Sequence, residues 1–431
     1  MKKVLVWLSV LGWGLASCSG LPLNRQTPVV QTAPTATSLP KLTSSATPTH
    51  AFTPTAEGPL RLRLWVPPQF DPAADSPAGR LLKKRLADFT ARRPNVQVEV
   101  RVKAEAGAGG LYDALAAGSG AAQLAMPDLV ALPQDMLREA ALKGLVRPMN
   151  GLTHAMDDTD WYEFARQLAH LQDNVYGLPF AGDALVQAYR PSKVANPPVD
   201  WTAALKLAGP LAFAAADPAA FFTLGQYQAA QGEIVDNQGR VFLDAERLAD
   251  VLAFYQEAEK SGLMPYWLTQ LQADDQAWQA FQEGQADLAG VWVSDYLSTL
   301  PEDSAITGLP TRDGKSYSLA TGWLWALASP DPARRELAIQ LAEFLTESGF
   351  LAQWTQAAGY LPARPSALEA WQDGEAKPAL SLVASEAIPL PPADLLKSLG
   401  PALQNATLQV LKGLNEPAAA AQEAAKSLVT P

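Results

Sequence analysis

Cysteine is nearly absent: Cys18 is the single one in 431 residues. An intramolecular disulfide, a cysteine-based zinc site and a CxxC redox pair are therefore excluded. Histidine is scarce too. His50, His154 and His170 form no HxxxH or HxH pair, so no histidine-rich metal site is expected. There is no GxSxG, no P-loop, no EF-hand loop and no complete GxGxxG. Gly107 and Gly109 begin like a dinucleotide fingerprint, but Tyr112 stands where the last glycine belongs, and the stretch reads as a loop. Bases are the minority, 33 against 44 acids, for a formal charge of −11. A nucleic-acid footprint needs a basic patch or stripe, so no nucleic-acid partner is expected. No internal repeat is visible. What remains is a globular composition, 48% apolar and 18% charged. The length exceeds one ordinary core and predicts two lobes of roughly 150–200 residues each.

The N-terminus reads as an address. Lys2 and Lys3 precede an apolar run from Val4 to Ala16, too short to span a bilayer comfortably. It ends in Leu15-Ala16-Ser17-Cys18, which resembles the bacterial lipobox. That motif implies cleavage before Cys18 and lipidation of it, anchoring the chain to the outer face of a membrane. Residues 19–59 hold 9 Thr, 7 Pro and 4 Ser and only three charges, a composition that predicts an extended tether.

From residue 60 the pattern turns periodic. Leu60, Leu62, Leu64 and Val66 alternate with polar residues, as do Val96, Val98, Val100 and Val102, so two strands are predicted. Leu82, Leu86 and Phe89 fit one helical face, stopped by Pro94. Met126–Leu132 reads as a buried parallel strand followed by a helix over 134–143. Strand-helix alternation of this kind predicts an α/β domain with a parallel sheet. Further helices are expected over 200–207, 245–261, 274–282 and 332–347, with strands over 240–243, 287–293 and 324–328. The tail from Ala379 reads as helical.

Seven short motifs, in order, carry a resemblance. They are Phe89–Val98 with Pro94-Asn95, Pro127-Asp128-Leu129-Val130, Gly144–Met149, Tyr176–Phe180, Pro197–Trp201, Trp278–Leu288 and Gly359–Arg364. Together they resemble the carbohydrate-type extracellular solute-binding proteins of ABC importers, the group that includes maltodextrin-binding proteins. The sequence departs from that pattern at Arg190-Pro191, at Pro67-Pro68 and before Trp201. The resemblance implies an α/β, two-lobed, periplasmic-binding-protein-like fold (type II), closing on a ligand at hinge crossings near Ala181–Leu185, Ile306–Thr311 and Gly359–Pro362. Lobe 1 is expected over 60–182 plus 311–360 and lobe 2 over 183–310 plus 361–431.

A sugar offers flat C–H faces and a ring of hydroxyls, which call for aromatic rings and for carboxylates, amides and guanidinium groups. Residues of these types at strand ends are Gln69, Phe70, Gln134, Asp183, Trp292, Asp295, Tyr296, Trp323, Trp325, Tyr360 and Arg364. They are the candidate ligand contacts, each of which has a structural reading as well. Trp323 and Trp325 share one side if the segment is extended. No catalytic residue, metal or cofactor is expected. The leading reading is a monomeric, lipid-anchored receptor that hands a sugar to an ABC permease. Two readings stand beside it: the same fold with a polyamine or other small solute, and a secreted glycosidase, for which any two suitably spaced carboxylates would suffice.

Overall fold

Residues 59–121 and 125–428 are described by the structure, a computed structural model. The expected signal peptide, Cys18 and the tether up to residue 58 lie outside the described residues. In chain order the strands are β1 (Leu60–Val66), β2 (Val96–Val102), β3 (Leu129–Pro133), β4 (His170–Leu171), β5 (Asn174–Val175), β6 (Gly177–Tyr189), β7 (Leu211–Ala212), β8 (Leu288–Trp292), β9 (Ala305–Thr307), β10 (Ser318–Leu327) and β11 (Ala387–Pro389). β1 buries Leu62, Leu64 and Val66 while Arg61 faces water, as its alternation demands. Pro67-Pro68 then end the strand, proline having no N–H to give a ladder. The helix Pro77–Ala91 starts on Ser76, whose hydroxyl accepts the Gly79 N–H at 3.0 Å. The helix Ala245–Ser261 starts on Asp244 and stops at Gly262, whose φ of 82° only glycine adopts without strain.

One path through the main sheet runs β2-β1-β3-β10-β6-β8-β7, with β11 added beside β10 and β9 beside β6. β1 pairs in parallel with β2 and β3, and β7 with β8. The long strands β6 and β10 run antiparallel to each other and belong to both halves of the sheet. The last part of β10 lies between β3 and the first part of β6, whereas residues 185–189 of β6 pair with β8 and β9. These two strands are the crossings between the lobes. The tail helices Ala393–Leu411 and Pro417–Ser427 pack on Ala245–Ser261, covering the second lobe.

Three expectations change. The second crossing is β10, later than Ile306–Thr311. Residues 305–307 pair with the far end of β6, and Thr311 bridges Asp200, so that segment stays within one half. Arg240–Leu243 forms no strand: Val241 makes a single bridge to Val235, and the Asp236 carboxylate takes the turn's N–H groups from Gln238 and Arg240. The helix expected over 200–207 is shortened to Trp201–Ala204, with Gly209-Pro210 close behind.

Candidate functional site

Alternation along β10 sends Leu319, Thr321, Trp323 and Trp325 to one face of the sheet. On the lobe 1 side this face is sealed by rings. Phe70, on the turn after β1, lies 5.1 Å from Trp323, 5.2 Å from Phe180 and 5.4 Å from Trp354, all centroid to centroid. The register of β6 shifts so that Phe180 is the extra residue of a bulge, and its ring stacks on Trp325 at 4.2 Å. On the lobe 2 side the same face is sealed by the helix Phe221–Ala229, whose Gly225 sits over Leu319 and Leu185. Between the two covers lie Thr321 and its cross-strand partner Asp183, both only partly buried. Opposed residues of an antiparallel pair point the same way, so both face the gap.

The reverse face is closed at the same level. Gly182 pairs with Gly322 there, and the helix Glu163–Ala169 lies directly on them. A Cβ on Gly182 would come 2.9 Å from the Phe164 ring, and one on Gly322 would come 3.1 Å from Leu168. Backbone this close admits only glycine, so the crossings open on one side alone.

Carboxylates gather at that opening. Asp183 accepts N–H bonds from Ser294 at 3.0 Å and Ala184 at 2.9 Å, and the Ser294 hydroxyl as well. It thereby caps the helix Val293–Thr299, which has no side-chain cap of its own. Burial nonetheless pushes the Asp183 carboxyl up to about 7, against those hydrogen bonds and with some help from Asp295. Trp292 donates its indole N–H to Asp274 at 2.8 Å and meets Phe221 edge-on at 5.7 Å. Burial raises Asp274 to about 6, opposed by that indole and reinforced by Asp217 and Asp295. Asp295 and Asp217 are raised by burial too. Among the described residues none of these four carboxylates is in an ion pair. From lobe 1, Tyr360 reaches the same group. Burial and then the charges of Asp183, Glu105 and Asp295 hold its hydroxyl well above the usual range. Gln69 donates to Glu105 at 2.9 Å on that rim.

Thr321 also lines a cavity of about 390 Å³. Gln134 and Asp135 border it from lobe 1, Pro218 and Phe221 from lobe 2, and Leu390 and Leu396 from the tail. The Gln134 side-chain N–H reaches the Leu390 carbonyl at 3.2 Å. Among the described residues no group of three or more His, Cys, Asp or Glu is placed to hold a metal ion.

The candidate residues thus separate. Asp183, Trp292, Asp295, Tyr360 and Gln69 converge on the opening, and Gln134 borders the cavity. Phe70 and Trp323 belong to the ring cluster on the lobe 1 side, with Trp323 only 8% exposed. Trp325, 2% exposed, lies in the core. Tyr296 is buried on the inner side of its helix and donates to the Ser304 carbonyl at 3.3 Å. Arg364 is buried against Trp161, bonding the Thr346 carbonyl at 2.9 Å and Asp158 at 2.9 Å. For Trp325, Tyr296 and Arg364, being charged or aromatic next to a strand end did not put the side chain in the opening. Asp217, Asp274, Phe221, Thr321 and the Leu390–Leu396 segment were absent from the sequence reading. Asp217-Pro218, a turn pair just after an apolar run, is a local signal that could have marked part of it.

The bacterial extracellular solute-binding protein family model matches residues 84–380. No curated protein matches the sequence. Among solved structures, maltose-bound MalE3 of T. maritima superposes with TM-score 0.64 at 17% identity, covering 86% of this chain and 99% of that one. A cyclo/maltodextrin-binding protein complexed with maltotetraose gives 0.69 at 20%, covering 87% and 98%. The sugar-binding protein MalE of Xanthomonas citri gives 0.70 at 16%, covering 86% and 97%. These likenesses establish the two-lobed, periplasmic-binding-protein-like α/β fold.

Proposed function

The chain belongs to the bacterial extracellular solute-binding protein family, and from that premise we propose that it is a receptor for a sugar or oligosaccharide. The observation that carries this reading is the gap at Thr321 and Asp183, where an indole, a phenol and several carboxylates meet on the one open side of the crossings. Rings take the faces of a sugar and carboxylates take its hydroxyls. Solved relatives that bind maltose or maltodextrins support the same cargo. With the return crossing at β10, lobe 1 comprises 60–182 plus the chain that follows β10, and lobe 2 comprises 183 up to β10 plus the tail helices. The lobes close on the ligand about the crossings. Lipid on Cys18 holds the receptor at the membrane, where it delivers the sugar to an ABC permease as a monomer, without chemistry on the cargo.

Thermal denaturation against a panel of neutral sugars and polyamines tests the reading, since a ligand stabilises according to its concentration over its dissociation constant. A rise in midpoint with a sugar is expected. Scattering should show a smaller radius of gyration at saturation; an unchanged profile counts against closure. A second reading has its own support. Four partly buried carboxylates outside any ion pair suit a polyamine, and stabilisation by spermidine alone would select it.

A further inference from the structure

The cleft changes character along its length. At the crossings it presents Asp183, Asp274, Asp295, Trp292 and Tyr360. Beyond Thr321 the tail side of the wall becomes Leu390, Pro391, Pro392, Leu396 and Pro401, facing Pro218, while Gln134 and Asp135 border the lobe 1 side, Gln134 already donating to the Leu390 carbonyl. Prolines carry no backbone N–H, and none of the side chains on the tail side can bond a hydroxyl. A sugar ring pressed on that side would find no side-chain partner for the hydroxyls turned toward it. An aliphatic chain or an aryl ring would give up nothing and gain from burial.

The wall is also firmly held. A Cβ on Gly400 would come 2.2 Å from the Pro218 carbonyl oxygen, so the tail helix is seated directly on the lobe 2 turn. Gln404 donates to the Ala216 carbonyl beside it. This close seating leaves the cavity of about 390 Å³ unfilled by the chain's own side chains, a volume within the range of small-molecule sites. Phe221 joins the two sectors, touching Trp292 on one side and lining the cavity on the other. Arg138 and Lys397 lie exposed at its mouth, in water.

We infer that the ligand is a glycoside with an apolar portion, its sugar held at Asp183, Trp292 and Tyr360 and its alkyl or aryl aglycone lodged along Leu390–Leu396. This inference rests on the sugar reading above. Calorimetric titration of the full chain with maltose, glucose, and their n-octyl β-glycosides below the micelle threshold tests it. The octyl glycoside of at least one bound sugar should bind about tenfold tighter or more than its parent. Leu396→Gln should remove that gain while the parent sugar's affinity holds within about twofold. If Leu396→Gln does not fold, Ala393→Phe, which fills the cavity from a half-exposed position, should remove the same gain. A parent sugar that binds as tightly as its octyl form overturns the inference and leaves the sugar reading standing. Binding of 1-octanol as tight as that of the octyl glycoside overturns it as well, because the two sectors would not act as one site. If no glycoside binds, both fall.

Discussion

One face of the crossing strands is covered twice, by opposite materials. Toward lobe 1 the cover is a cluster of interlocked rings, with Phe70 edge-on to four neighbours, Tyr360 at its margin, and Phe180 stacked on Trp325. Toward lobe 2 it is a helix start, a tryptophan tied to a carboxylate, and acids that burial has made reluctant to ionise. The first arrangement excludes water and has no room for a guest. The second keeps polar groups half-solvated around a gap. Aromatic residues therefore mean different things on the two sides: Trp325 holds the fold, and Trp292 is presented by it.

The sharpest way to break that contrast is to truncate one tryptophan from each side. Trp325→Ala removes a fully buried stacked ring and should cost about 3–5 kcal/mol of unfolding free energy, read from the denaturant midpoint. Ligand affinity of the protein that remains folded should not change. Trp292→Ala should do the reverse. It weakens sugar binding about 10–100-fold by calorimetry while stability falls by about 1 kcal/mol or less, because the residue is half-buried. A Trp292→Ala protein that lost its folding transition would move Trp292 to the structural side.

Acidity sharpens the same division, with a smaller effect. Asp183 at about 7 and Asp274 at about 6 both lie above the ordinary carboxylate range. The folded protein therefore holds these protons more tightly than the unfolded chain does. Their contribution to stability is complete below about pH 4 and is lost as pH rises through about 6 and then about 7. The ligand-free protein should lose stability across that window, and Asp183→Asn should flatten most of the slope. A bound polyamine would suppress the loss by supplying positive charge, whereas a neutral sugar would leave its pH range in place.

Much of the frame was legible in the sequence. β1, β2, β3 and β8 follow from alternation or from short apolar runs, and the helices Pro77–Ala91 and Ala245–Ser261 from their period and caps. The site was legible in part. Asp183, in the middle of β6, and Trp292, at the end of β8, are brought together by the topology. Trp323 and Trp325 do share one face, as their spacing predicts, but that face is roofed over by Phe70 and Trp354, and no local pattern reports a roof. Arg364 reads as a ligand group until the fold sets Asp158 beside it, 206 positions away in the chain. The apolar wall went unread because Leu390–Pro392 look like an ordinary linker, and only the seating of Gly400 on Pro218 makes them a surface.

The smallest effect lies at the boundary between the two materials. Gln134 belongs to lobe 1 by sequence, yet its amide donates to Leu390, on the apolar wall of the cleft. At 3.2 Å this is one neutral, half-buried hydrogen bond, worth about 0.5–1.5 kcal/mol at most. Gln134→Ala should lower the unfolding free energy by no more than that. Its informative readout is the radius of gyration of the free protein. If the bond helps to hold lobe 1 against the tail, the ligand-free variant should be slightly more open than the parent, and saturating ligand should erase the difference. A variant with the parent's free and bound scattering profiles would reduce Gln134 to a rim residue, leaving the crossings alone to set how far the cleft stands open.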